Sequence, residues 1–187
     1  MHTARCLLCT FIVPVVFTSG CGAYQDTAPK SAQAAEQPNA TKATSTSSIF
    51  SPSAPSVIAR PSRVLSKACA ADKINDSQSG ELLKAAKSAK LKITGWAVDD
   101  IAVAVPAEVF VELVPVTGTA HFYAAAARLT KRPDVAKAHG KPVFENSGYD
   151  LDADLSAVPA GVYSVLVVQP VAAGVTSCDT KRRVDIR

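Results

Sequence analysis

The sequence is short of aromatic residues and of excess charge of either sign. Phe, Tyr and Trp make up 6% of its 187 residues, with a single Trp and a single Met. Twenty basic residues accompany sixteen acidic ones, which gives a formal net charge of only +4. A nucleic-acid-binding protein needs a dense basic surface. The composition therefore predicts no nucleic-acid partner.

Short motifs of common catalytic and cofactor sites are also missing. The sequence contains no Walker loop, no Gly-x-Ser-x-Gly turn and no His-Glu-x-x-His pair. After the N-terminal region only two histidines are left for acid–base chemistry, His121 in a strand pattern and His139 in a Lys-rich loop. We therefore predict a non-catalytic protein with no cofactor and no metal.

The apolar run near the N-terminus is too short to cross a membrane. It covers about 12 residues, 6–17, and contains Pro14, whereas a spanning helix needs about 20. His2 and Arg5 precede it and the small residues of TSGC at 18–21 follow it. This order of charge, apolar run and small residues is that of a secretory signal. We predict a signal peptide over residues 1–20.

TSGC at 18–21 resembles the lipobox of bacterial lipoproteins, although Thr18 stands where that family usually has Leu. In this family a diacylglycerol is attached to the cysteine and the signal is cut before it, so the resemblance implies a lipid at Cys21. The alternative is an ordinary secretory signal with an incidental cysteine. Gly22 in place of Asp implies, by resemblance to sorting in Gram-negative bacteria, an outer-membrane anchor that faces the periplasm or the cell surface.

A low-complexity stretch follows the cysteine. Residues 22–61 are almost wholly Ala, Ser, Thr, Pro, Gln and Lys, and such a composition buries too little apolar surface to offset the entropy of ordering the chain. We predict that residues 21–61 are the lipidated cysteine and a disordered linker before a domain over 62–187. The apolar pairs Ile49-Phe50 and Val57-Ile58 are expected to be incidental or weakly docked.

The five cysteines divide by region. Cys6 and Cys9 lie in the predicted signal and Cys21 in the lipobox, which leaves Cys69 and Cys178. An exported protein occupies a compartment that favours disulfides, so we predict a bond between these two. The alternative is two separate buried thiols. A zinc site is not expected, because two thiolates without a neighbouring His or Cys do not complete a tetrahedral shell.

Two-residue alternation of apolar side chains predicts an all-β domain. Seven strands are expected, at about 68–74, 90–98, 108–114, 121–129, 149–155, 162–169 and 175–186. That number in about 120 residues is typical of a two-sheet, immunoglobulin-like sandwich. A short helix is expected within residues 81–90, and one helical turn from Pro133 to near Gly140.

Four short motifs occur in order along this domain: GWAVD at 95–99, RPDVA at 132–136, SGY at 147–149 and PAGVY at 159–163. Together they resemble a β-sandwich module of proteobacterial envelope proteins, found also at the C-termini of some membrane glycosyltransferases. The resemblance spans about residues 68–187. It implies a fold and a compartment, and no activity.

The longest stretch without strand alternation, residues 129–148, is the candidate partner-binding loop. It carries Lys131, Arg132, Asp134 and His139. Loops of a sandwich vary in chemistry while the sheets supply rigidity. The alternative is that Arg132 and Asp134 only stabilise the turn through an ion pair and a carboxylate near a helical N-terminus.

Three carboxylates, Asp150, Asp152 and Asp154, share one face of a predicted strand. Calcium needs six to eight oxygens, usually from a curved loop, so we expect a solvated acidic face here. These features together predict a non-catalytic outer-membrane lipoprotein. Its domain would be an interaction or structural module whose partner is an envelope protein or polysaccharide. The alternative is a hydrolase that acts on envelope polymers.

Overall fold

The computed structural model describes residues 48–59, 62–78, 80, 82–128 and 130–187. The predicted signal peptide, Cys21 and the first part of the predicted linker lie outside these residues. In the part that is described, no helix is long and apolar enough to span a membrane.

The described residues are mainly β-strands. Their bounds in chain order are β1 (Ser48–Ile49), β2 (Arg63–Ser66), β3 (Cys69–Ile74), β4 (Leu82–Ala85), β5 (Lys90–Ala97), β6 (Val109–Pro115), β7 (Phe122–Ala126), α1 (Pro133–His139), a 3-10 helix (Pro142–Asn146), β8 (Gly148–Asp154), β9 (Gly161–Val171) and β10 (Gly174–Ile186).

The strands form two sheets. Sheet 1 has the order β1-β8-β5-β3, and sheet 2 has the order β2-β10-β9-β6-β7, with β4 paired to the far end of β10. The main strands of sheet 1 thus follow the A-B-E order, and those of sheet 2 the G-F-C-C′ order, of an immunoglobulin sandwich. The predicted two-sheet, all-β sandwich is confirmed, and its seven expected strands are β3 and β5 to β10.

The core lies between the sheets, where alternate side chains of each strand meet. Leu91 and Ile93 of β5 face Val111 of β6 and Val165 of β9, and all four are fully buried. Tyr163, near the start of β9, donates its hydroxyl hydrogen to the carbonyl oxygen of Pro159 at 3.0 Å. This contact is the tyrosine corner that fixes the crossing between the sheets in immunoglobulin-like domains.

The prediction of a short helix within residues 81–90 is wrong. Leu82–Ala85 is strand β4, which pairs in parallel with residues 183–186 of β10. A short segment of helix-forming residues has little helical stability of its own, so pairing with the open edge of β10 prevails. The helical turn at Pro133 is confirmed, because α1 begins there and ends at Gly140, whose φ of 62° suits glycine.

Part of the predicted linker is folded. Residues 50–59, here called the strap, lie across the outer face of sheet 2, and the domain therefore begins before residue 62. Phe50 is buried in the core and Ile58 is buried against Phe110 and Val168. The apolar pairs Ile49-Phe50 and Val57-Ile58 are the local sign of this, and one residue of each pair is buried while the other is exposed. The side chains that the strap covers lie on a distant sheet, so the local sequence does not show where it docks.

Cys69 and Cys178 form the predicted disulfide. Cys69 begins β3 at the edge of sheet 1, Cys178 lies in β10 of sheet 2, and their Cα atoms are 6.2 Å apart. The bond therefore ties the two sheets together along one side of the sandwich.

Candidate functional site

The candidate loop is the segment that contains α1 and the 3-10 helix, and its arginine is held by internal partners. Arg132 Nε and Nη2 donate to the two carboxylate oxygens of Asp134 at 2.9 and 2.7 Å, and Nη1 donates to Asp72 of β3 at 2.5 Å. Only 18% of the Arg132 side chain is exposed. The hydrogen bonds from Arg132 lower the pKa of Asp134 to about 2. Arg132 thus links Asp134 at the start of α1 to Asp72 of sheet 1.

The other two candidate residues in this loop also have neighbours within the domain. The His139 ring lies edge-on to Trp96 and to Phe144, with ring centres 5.5 Å apart in both cases. Lys131 Nζ is 3.1 Å from a carboxylate oxygen of Glu145 and is largely exposed. These contacts favour the structural alternative for this loop, and partner binding there stays a prediction.

The acidic face of β8 lies beside lysine side chains of the neighbouring strand β5. In the antiparallel register Asp154 lies opposite Lys90 and Asp152 lies opposite Lys92. Opposite charges at facing positions stabilise a strand pair. Within the described residues no group of three or more His, Cys, Asp or Glu side chains is arranged to hold a metal ion. The ion pair that forms on this face is diagonal, between Lys90 Nζ and Asp152 Oδ1 at 3.5 Å, and Asp150 accepts a hydrogen bond from the Thr130 hydroxyl.

A buried carboxylate on the outer face of sheet 2 was not found by sequence reasoning. Glu112, in the middle of β6, is 0% exposed. Its Oε2 accepts a hydrogen bond from Arg63 Nη1, and its Oε1 lies 2.7 Å from His121 Nδ1. The guanidinium carbon of Arg63 lies 5.9 Å from the ring centre of Tyr123. Burial, and then hydrogen bonding to Glu112, raise the pKa of Tyr123.

This Glu112 cluster joins β2 to β6 within sheet 2. Arg63 is the first residue of β2, and Glu112 lies 49 residues further along the chain. A buried carboxylate is stable only when it is paired and hydrogen-bonded, and Arg63 and His121 meet that need. In the sequence Glu112 is an outward residue of an alternating strand, so only its remote partner Arg63 could have revealed its burial.

The cluster has one element of a catalytic site, because a carboxylate that holds one nitrogen of a histidine can orient the ring for proton transfer. The His121 side chain is 40% exposed. However, Arg63 binds the same carboxylate, and the described hydrogen bonds of His121 include no Ser, Thr or Cys hydroxyl or thiol. Glu112 is therefore shared between Arg63 and His121.

Comparison of the chain with protein-family models, with curated proteins and with solved structures finds no match.

Proposed function

We propose that this protein is an exported lipoprotein and that its immunoglobulin-like sandwich is a non-catalytic interaction module in the bacterial envelope. The observation that carries the proposal is the Cys69–Cys178 bond, which joins the two sheets. Disulfides form and persist in oxidising compartments such as the periplasm and the cell surface. The signal-like N-terminus and the lipobox-like TSGC at 18–21 support the same location.

In this proposal the lipid at Cys21 holds the protein on the outer membrane, and the linker before Ser48 connects it to the sandwich. Two charged side chains of the domain have structural partners, which supports a non-catalytic role. Arg132 is bound to two carboxylates, and Glu112 is bound to Arg63 and His121.

Fatty-acid labelling of the full-length chain in a Gram-negative host tests the anchor. We expect the wild type to carry the label and to sediment with the outer membrane. Cys21→Ala should lose the label and enter the soluble fraction. Cys9→Ala is the matched control, because it removes a thiol from the predicted signal and should change neither result. Unaltered labelling and sedimentation of Cys21→Ala would contradict the anchor.

The alternative hydrolase rests on the His121–Glu112 pair alone. We expect the purified full-length protein to release no soluble fragments from isolated peptidoglycan or outer-membrane polysaccharide. Fragment release that disappears in His121→Ala, with an unchanged circular dichroism spectrum, would refute the non-catalytic role.

A further inference from the structure

Strand β2 is an open edge of sheet 2. Residues Arg63–Ser66 pair in parallel with residues 175–178 of β10 along one side, and no strand of the described chain pairs with the other side. An edge strand presents unpaired N–H and C=O groups, which are a template for a further strand. The opposite edge of the sheet is covered, because Ser51 of the strap exchanges backbone hydrogen bonds with Tyr123 of β7.

The centre of β2 lacks the charges that usually guard an edge. Lysines on edge strands discourage pairing with other chains, and β4, which lies along the same side of β10, carries Lys84. In β2 the central residues are Val64 and Leu65, with 55% and 84% of their surface exposed. Such exposure of adjacent large apolar residues on a free edge indicates a contact surface.

Two apolar hollows lie beside β2, on the face that carries Val64 and Ser66. Ser66 lies opposite Cys178 of β10, so the disulfide is on this face. Beside Val64 is a narrow cavity that is also lined by Ile101 and the turn between β9 and β10, and beside Ser66 is a groove along the disulfide. Leu65 lies on the opposite face. A strand added next to β2 would place some of its side chains in these hollows and others against Leu65.

One cation beside β2 has no ion-pair partner in the described part of the chain. This cation is Lys67, which follows β2, lines the groove beside Ser66 and is exposed. Lys181 lines the same groove, where it pairs with Asp179 at 2.7 Å. An acidic side chain at the end of an added strand would therefore find a free cation at Lys67.

We propose that β2 docks an extended segment of a partner protein, which joins sheet 2 as a new strand. The segment has adjacent large apolar residues followed by acidic ones. This inference rests on the proposed role as an interaction module and names its binding surface. The β2 strand of a second copy fits less well, because residues 60–67 contain Arg60, Arg63 and Lys67 and no acidic residue, so that pairing would bring like charges together.

Peptide binding to the full-length protein in detergent micelles tests the proposal. The probe is the end-blocked peptide Thr-Val-Leu-Val-Thr-Asp-Asp, and the control is the same peptide with methyl groups on alternate backbone nitrogens. We expect the probe to shift the amide NMR signals of residues 63–67 and of Ile101. We expect the methylated peptide to have no effect, because it cannot complete the edge hydrogen bonds. Equal binding of both peptides, or shifts confined to other strands, would overturn the proposal.

A matched pair of variants locates the site. Leu65→Lys places a charge at the centre of the edge and should weaken probe binding at least tenfold. Val143→Lys makes a similar change on the 3-10 helix, where Val143 is 48% exposed, and should leave binding unchanged. Both side chains are exposed, so we expect both melting temperatures to stay within about 2 °C of the wild type. Wild-type affinity in Leu65→Lys would refute the site.

Photo-crosslinking in cells separates this inference from the proposed function. A photoreactive residue at position 66 of the membrane-anchored chain should capture a partner through a segment of apolar and acidic residues, and Leu65→Lys should abolish the capture. Capture that Leu65→Lys does not affect, or capture of a second copy, would overturn docking at β2 and leave the lipoprotein proposal intact. Loss of membrane attachment in the Cys21→Ala experiment bears only on the anchor.

Discussion

Removal of the disulfide by Cys69→Ala with Cys178→Ala should lower stability by several kcal/mol. The bond closes a loop with a sequence separation of 109, and restricting so long a loop in the unfolded chain is worth about 4.8 kcal/mol at 25 °C. For about 140 residues the unfolding entropy is about 0.3 kcal/mol/K, so the melting temperature should fall by about 16 °C.

The folded state of this double variant should keep its structure. Arg182 still connects β10 to the other sheet, because its guanidinium donates to the carbonyl oxygens of Ala71 and Ser77 at 3.4 and 3.3 Å. Cys178 is 5% exposed, so Ala preserves an apolar residue at a small cost in packing. We therefore expect an unchanged circular dichroism spectrum at 20 °C together with an earlier unfolding transition.

Urea unfolding of the full-length chain, followed by circular dichroism, measures the effect. The reduced wild type should have an unfolding midpoint at nearly the same urea concentration as the double variant. Cys21→Ala should have the same midpoint as the oxidised wild type. A change in unfolding free energy below about 1 kcal/mol would refute the loop-entropy reasoning. Alkylation of Cys69 and Cys178 in the folded wild type without reductant would refute the bond itself.

Two further predictions concern charged groups. Glu112→Ala should lower the unfolding free energy by about 2–3 kcal/mol, because it removes the carboxylate that is hydrogen-bonded to Arg63 and His121. Glu108→Ala, an exposed control just before the same strand, should change it by less than 0.5 kcal/mol; equal effects in urea unfolding would contradict the burial argument. The carboxyl of Asp134 should titrate by NMR near pH 2, and near pH 4 in Arg132→Ala. Because folding depresses this pKa, its stabilising contribution is present above about pH 4 and is lost as the pH falls towards 2; a wild-type midpoint near 4 would show that the ion pair is not formed.

The strands that the sequence predicts are those whose pattern is local. Each main strand, from β3 to β10 apart from β4, carries its own alternation of apolar side chains, and burial on one face is enough to produce that pattern. Strands β1, β2 and β4 are two to four residues long. They form because a remote strand offers a free edge, which no local pattern records.

The same distinction explains what sequence reasoning found of the candidate site. The disulfide was predicted because only two cysteines are left for the domain. The Glu112 cluster was missed because its members are scattered along the chain, with Arg63 lying 49 residues before Glu112. The open edge of β2 was missed for a related reason, since it exists only through pairing with residues 175–178 at the other end of the chain.

The covalent ring from Cys69 to Cys178 also governs how proteases can release the domain. A single backbone cut anywhere between these residues leaves both pieces joined through sulfur. If Cys21 carries the proposed lipid, only a cut between Cys21 and Cys69 would separate the sandwich from it. Burial of Phe50 and Ile58 protects those two positions of the strap, because a protease needs an accessible, extended chain. A cut before Ser48 would release a fragment that keeps both sheets and the exposed edge of β2.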